Sequence, residues 1–170
     1  LSDGDVFVCN HPYEGAMPHA SDMGTVAPII ADGELIGFSG AIAHKADIGG
    51  AVPGSSWGGA TEMYQEGLLL PPIRLRKAGK PLPDVERLIA ANSRQPETVL
   101  GDLRGQLGAT QIGRDRMKAL ADEHGAPLIV AALDAMAEAS AREFMVALSK
   151  LPDGETQAEG FMETDSPEGP

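Results

Sequence analysis

The chain has 170 residues, 42% of them hydrophobic, enough for one domain of ordinary size and its core. Its 13 basic against 25 acidic residues leave a formal charge of −12, which repels phosphate backbones and anionic lipid and so excludes nucleic acid and membrane as expected partners. Cys9, the single cysteine, rules out an internal disulfide or a thiolate metal cluster, and no apolar run approaches the ~20 residues of a membrane span, so the expected location is cytoplasmic.

In chain order, Leu1 stands where an initiator Met would, and Leu1 to Asp5 runs straight into Val6-Phe7-Val8-Cys9, a strand entered mid-domain with Cys9 a buried strand residue. Thr25 to Ile30, Ala31-Asp32-Gly33-Glu34 and Leu35 to His44 predict a β-hairpin, because Asp-Gly supplies the positive-φ positions of a tight turn. Pro28 cannot donate a ladder hydrogen bond, so its strand is expected to lie at an edge or to bulge there.

Pro83 to Asn92 predicts a short helix, and Pro96 to His124 and Pro127 to Lys150 predict two longer ones separated by Gly125. In the last of these, Ile129, Leu133, Met136, Ser140 and Phe144 recur at helical steps and are expected to face the core. Gly101, Gly105, Gly108 and Gly113 interrupt the helix before it, each costing about 1 kcal/mol against Ala, a cost that close packing against a neighbour would offset. The fold class expected is α/β (mixed α+β). A β-rich part over 1–95 carries the hairpin, a helical part of the same domain covers 96–150, and 151–170 is a linker or the start of a further segment. The acidic, turn-rich end and the abrupt start lead to the expectation of a fragment of a larger subunit.

His19 and His44 are two of only four histidines, and the hairpin draws them together. In a simple hairpin centred between Asp32 and Gly33, Ser21 lies opposite His44; a one-residue bulge at Pro28 would place Asp22 there, at a cross-strand separation of about 4.5–5.5 Å. Two imidazoles and a carboxylate suit a divalent ion such as zinc, manganese or iron, with positions left open for water and substrate. Asp47, three residues beyond His44, suits either orienting a ligand imidazole or serving as a fourth ligand. Spacing alone favours the plainer reading, two surface histidines with an unrelated Asp, over a metal site.

The runs Asp3-Gly4-Asp5-Val6-Phe7-Val8-Cys9-Asn10-His11-Pro12-Tyr13-Glu14-Gly15 and Pro18-His19-Ala20-Ser21-Asp22 resemble the opening motif of the hydantoinase B/oxoprolinase family. So do, in order, Ala43-His44-Lys45-Ala46-Asp47-Ile48-Gly49-Gly50, Pro53-Gly54-Ser55, Gln65-Glu66-Gly67, Ala91-Asn92-Ser93-Arg94-Gln95-Pro96-Glu97 and Leu100-Gly101-Asp102-Leu103-Arg104. The resemblance covers the chain to about Gly160 but only the front portion of a family subunit. It implies a B-type subunit of an ATP-dependent hydrolase of cyclic amides, hydantoins or 5-oxoproline, in a hetero-oligomer whose hydantoinase A-like partner uses the ATP. It implies as metal ligands His19, Asp22 and His44. The same resemblance extends to ATP-dependent acetone and acetophenone carboxylases, where the substrate is a ketone. A reading of another class is a truncated, non-catalytic assembly module, and the isolated chain is expected to be inactive.

The chain departs from the family pattern at His11, where many relatives have Asp, and at Lys45, where many have a second His. His11 suits a base or a turn-stabilising residue before Pro12. Lys45 suits a positive charge beside a phosphate or oxyanion, or plain solvation. Glu66, four residues after Glu62, suits an acid or base or an ordinary exposed carboxylate. The glycine-rich run Gly49 to Ser55 suits an anion cradle or a sharp turn. Arg94, Asp102 and Arg104 suit a helix-to-sheet lock or a substrate anchor, and Trp57 either lines the substrate opening or packs under its loop.

Overall fold

A computed structural model describes residues 1–161, and the hairpin is its longest ladder. Strand β2 (Asp22–Ala31) pairs antiparallel with β3 (Glu34–His44) through a two-residue turn, Asp32 at φ 51° and Gly33 at φ 82°. Positive φ at both turn positions matches the right-handed twist of the strands. The expected bulge exists but sits elsewhere. Pro28 pairs in register with Phe38, and the shift falls between Ile29 and Ile30, with Ile36 of β3 as the extra residue. β2 is not an edge strand either, because β1 (Val6–Cys9) lies on its other side. That ladder spans only Gly24 to Val26, so Pro28 is accommodated where one flank of β2 is already open.

β1 also pairs with β4 (Ile73–Lys77), and β5 (Lys80–Pro81) completes a sheet of order β3-β2-β1-β4-β5. The side-chain alternation of strands then separates two faces. Val6, Val8, Met23, Thr25 and Ala27 are buried on one of them, whereas Val26, Phe38 and Ile42 on the other are exposed.

A short helix α1 (Pro12–Gly15) follows β1, and α2 (Pro83–Ala91) leads to α3 (Pro96–His124). α3 covers the buried sheet face, packing on β2 and β3 through Val99, Leu103, Leu107 and the buried polar pair Gln106 and Thr110. Gly113 alone among its glycines meets a neighbour closely, Ser39; a Cβ at Gly101, Gly105 or Gly108 would point into open space. The expected close packing is therefore absent at those three positions, which leaves their helix cost uncompensated.

α4 spans Ala126–Leu148. One compact unit comprises Leu1–Ala132, and a second begins at Leu133. Ala126 and Ile129 join Ile29, Ile36 and Ala121 in a small second core of the first unit. The expected core-facing stripe stops there: Leu133, Met136 and Phe144 are exposed, since periodicity marks an apolar face without supplying a surface to cover it. From 152 to 161 no helix or strand forms, and the remainder of the expected linker, 162–170, lies outside the described residues. No described helix is long and apolar enough to cross a membrane.

Candidate functional site

The hairpin register determines the site. With Ile36 taken out of the ladder, Asp22 pairs with His44 at the open end of β2 and β3. His19 approaches through a turn closed by the Asp22 amide donating to the His19 carbonyl at 3.1 Å. Its Nε2 lies 3.6 Å from Asp22 Oδ2, and its ring centroid lies 5.0 Å from that of His44. Its other nitrogen, Nδ1, lies 3.6 Å from Glu66 Oε2. His19, Asp22 and Glu66 are all partly exposed, so the cluster is open to solvent.

Two side chains, buried Asn10 and partly exposed Glu66, hold the loops that carry these groups. Asn10, fully buried after β1, donates to the carbonyls of Ala20 at 2.6 Å and Leu68 at 2.7 Å and accepts from the Leu70 amide at 2.6 Å. It thereby ties the His19 loop to the segment following Glu66, a role that sequence reasoning missed, the one signal being an Asn directly after the Val6–Cys9 strand. Glu66 closes a short 3-10 turn (Met63–Glu66), and its Oε2 accepts from the Ala20 amide at 3.0 Å.

Among the described residues, no group of three His, Cys, Asp or Glu side chains is arranged to hold an ion as it stands. The donor chemistry nonetheless fits one: two imidazoles and a carboxylate are the ligand types of zinc, manganese and iron. The 3.6 Å between His19 Nε2 and Asp22 Oδ2 lies just beyond hydrogen-bond distance, so these two donors are near one another without being spent on one another.

Asp47 is placed differently from the imidazoles. Its buried carboxylate accepts from the amides of Gly49 at 2.9 Å, Gly54 at 2.9 Å and Arg94 at 3.0 Å, and from the Arg94 guanidinium at 3.1 Å. Burial alone would raise its pKa, but these donors outweigh that cost and hold the carboxyl at about 2. The glycine-rich loop thus directs amides at an anion of its own chain. Arg94 completes the lock by donating to the carbonyls of Gly49, Gly50 and Val52. Arg104 pairs with Glu86 at 3.7 Å, so Arg94 and Arg104 lock separate places and no Arg–Asp–Arg network forms among the described residues.

Lys45 follows His44 and, by strand alternation, turns to the opposite face. It is fully buried and donates to Gln106 Oε1, while Gln106 Nε2 donates to the carbonyls of Met23 at 2.7 Å and Ala41 at 3.1 Å. Burial pushes the Lys45 pKa down, opposed by the nearby Asp102 charge. His11 caps α1, with Nδ1 accepting from the Glu14 amide at 3.2 Å. Buried Cys9 lies in β1, where burial raises its thiol pKa.

Two hollows flank the His19–Glu66 pair. One of about 350 Å³ is lined by Ser55, Ser56, Trp57 and Gly58. The other, of about 340 Å³, is lined by Tyr13, Pro18, Thr61 and Met63. Both include His19 and Glu66 in their walls, and neither includes Lys45 or His11. Each has room for a small ring, with an aromatic side chain on one wall and the titratable cluster on another.

The family model described as hydantoinase B/oxoprolinase matches residues 1–168. The B-type subunit of a putative D-/L-hydantoinase of Pseudomonas sp. (strain NS671) is 37% identical over 164 residues, covering 96% of this chain and 28% of the relative. The acetophenone carboxylase delta subunit of Aromatoleum aromaticum is 28% identical over 95% of this chain and 24% of its own length. The crystal structure of the ATP-dependent caprolactamase from Pseudomonas jessenii superposes with a TM-score of 0.78 at 33% identity, over 91% of this chain and 26% of that one. The chain thus spans roughly a quarter of the length of these relatives.

Proposed function

The chain belongs to the hydantoinase B/oxoprolinase family, and on that premise we propose that it supplies the metal-bearing part of a B-type subunit. The subunit hydrolyses a cyclic amide of the hydantoin or 5-oxoproline type, coupled to ATP use by a hydantoinase A-like partner in a hetero-oligomer. The similarity to a B-type hydantoinase polypeptide and to an ATP-dependent caprolactamase supports this choice of reaction.

The ligands proposed are His19, Asp22 and His44, and the observation that carries them is the Asp22–His44 pairing with His19 Nε2 3.6 Å from Asp22. A divalent ion bound there supplies Lewis-acid polarisation of a carbonyl and acidifies water. The chain's own residues do the rest. His19 and His44 present neutral nitrogen donors, Asp22 supplies negative charge, and the hollow beside Trp57 and Ser56 holds a ring against the cluster. Lys45, buried behind the sheet, keeps β3 on α3 through Gln106. Asp47 and Arg94 hold the loop from Gly49 to Ser55, whose last residue lines the hollow.

The test is metal content per chain by elemental analysis, on protein purified without chelator and on His44→Ala. About one divalent ion in the first and its loss from the second is expected; no metal in either removes the mechanism and favours an assembly module. A second reading, a ketone carboxylase subunit, is supported by the acetophenone carboxylase similarity. With the rest of the subunit and an A-type partner supplied, substrate-dependent ATP consumption that requires bicarbonate selects the carboxylase, and consumption without it selects the hydrolase.

A further inference from the structure

We propose that Glu66 is a positioning residue for His19: it accepts from Nδ1–H and so holds the imidazole as the tautomer whose Nε2 lone pair faces Asp22. The two nitrogens of the His19 ring are addressed by different carboxylates, Nδ1 by Glu66 and Nε2 by Asp22, each at 3.6 Å. These carboxylates are not equivalent, and their surroundings decide which one orients the ring and which one shares a ligand.

Glu66 is anchored. Its Oε2 accepts from the amide of Ala20, the residue after His19, at 3.0 Å, so a single oxygen bridges the His19 loop and the 3-10 turn. The turn itself is fixed on both sides: the Gln65 carbonyl accepts from the Ala51 amide at 2.8 Å, and the Leu68 amide donates to the Ile48 carbonyl at 2.9 Å. Gly67, at φ 115°, lets the chain pass so close to the Ile48 carbonyl that a Cβ could not fit. Asp22, by contrast, has no side-chain hydrogen bond among those described and stands opposite His44 in the ladder. An anchored carboxylate on one nitrogen and an uncommitted one beside the other is the arrangement in which an outer carboxylate fixes a histidine for use at its second nitrogen. The gap to Nδ1 exceeds a hydrogen bond by roughly half an ångström, and the soft terminal torsions of Glu and His close it at little cost.

The tautomer is a property of the chain without any metal, whereas the effect of Glu66 on affinity rests on the ligand set proposed above. The experiment separates the two. The histidine ring nitrogens of ¹⁵N-labelled, metal-free chain are recorded by two-bond ¹H–¹⁵N NMR at about pH 9, well above the ordinary imidazole pKa of ~6.5. His19 is expected with Nδ1 protonated and Nε2 bare. Glu66→Gln keeps that pattern, because the amide oxygen still accepts from Nδ1–H and from the Ala20 amide. Glu66→Ala moves the ring toward the Nε2–H form that unrestrained histidine favours. Zinc titrations of the same proteins are expected to show a 10- to 100-fold weakening in Glu66→Ala and a smaller one in Glu66→Gln. Nε2 protonated in the unaltered chain, or an unchanged tautomer in Glu66→Ala, overturns the proposal. The expected tautomers with no zinc bound by any of the three would leave Glu66 as the positioning residue and overturn the metal site instead.

Discussion

Asp22 and His44 face each other across the β2–β3 ladder because Ile36 is carried as an extra residue in β3; without that shift the turn at Asp32-Gly33 would set Ser21 there. Asp22→Asn keeps the size of the side chain and removes the charge, so under the proposed ligand set it weakens zinc binding at least about tenfold by competition titration. His124→Gln, outside the cluster, leaves it unchanged. Equal affinity in Asp22→Asn would remove Asp22 from the ligand set.

The same register makes Gly33 a point of control. Its φ of 82° is unstrained for glycine and costly for a β-branched residue. Gly33→Val is expected to lose about 1–2 kcal/mol in urea unfolding, and Gly33→Asn less than half as much, since Asn tolerates the left-handed region. Equal losses in the two variants would show that the turn conformation is not what the glycine serves.

The hairpin and α3 were legible because their signals are local: Asp-Gly for the turn, and Pro96 and Gly125 for the helix ends. The open cluster was legible for a related reason, since turn and bulge together reduce its geometry to register. What could not be read depends on distant partners. β1 acquires β4 from more than sixty residues away, Asp47 acquires Arg94, and Lys45 acquires Gln106, none of which leaves a periodic trace. The apolar stripe of α4 failed for the converse reason, being a sound local pattern without a covering surface for Leu133, Met136 or Phe144.

The helix glycines convert one of these failures into a gain. A Cβ at Gly105 would meet nothing within 4 Å, and the residue lies exposed in the middle of α3. Gly105→Ala is therefore expected to raise stability by about 0.5–1 kcal/mol, through helix propensity and a less flexible unfolded chain. The same change at Gly113, which abuts Ser39, is expected to bring no gain. Thermal or urea unfolding of the two variants side by side checks the contrast.

Acid stability should report on Asp47. Its carboxyl sits at about 2 in the folded chain against an ordinary 3.8, so the unfolded state binds the proton more readily. A depressed folded value contributes stability that is present above pH 3.8 and is lost as the pH falls from there toward 2. The contribution is on the order of 2 kcal/mol. Asp47→Asn is expected to lower stability at neutral pH and to flatten the acid limb of the urea midpoint against pH. An undiminished acid slope in the variant would place the responsible carboxyl elsewhere, with Asp5, lowered chiefly by its hydrogen bond from the Ala78 amide, the next candidate.

The buried Lys45–Gln106 pair should behave as a unit. Gln106 is the only described hydrogen-bond partner of the Lys45 ammonium, and it also satisfies the Met23 and Ala41 carbonyls beneath α3. Gln106→Leu strands the ammonium and deprives both carbonyls of this donor, at an expected cost of about 3 kcal/mol. Lys45→Met trades one hydrogen bond for relief from burying a charge and should change stability by no more than about 1 kcal/mol. In the double variant the stranded charge is gone, so the loss should be smaller than in Gln106→Leu alone, with a coupling of about 1–2 kcal/mol. Strictly additive losses in urea unfolding would mean that the ammonium finds another partner when Gln106 is removed, with Asp102, whose charge already acts on it, the first candidate.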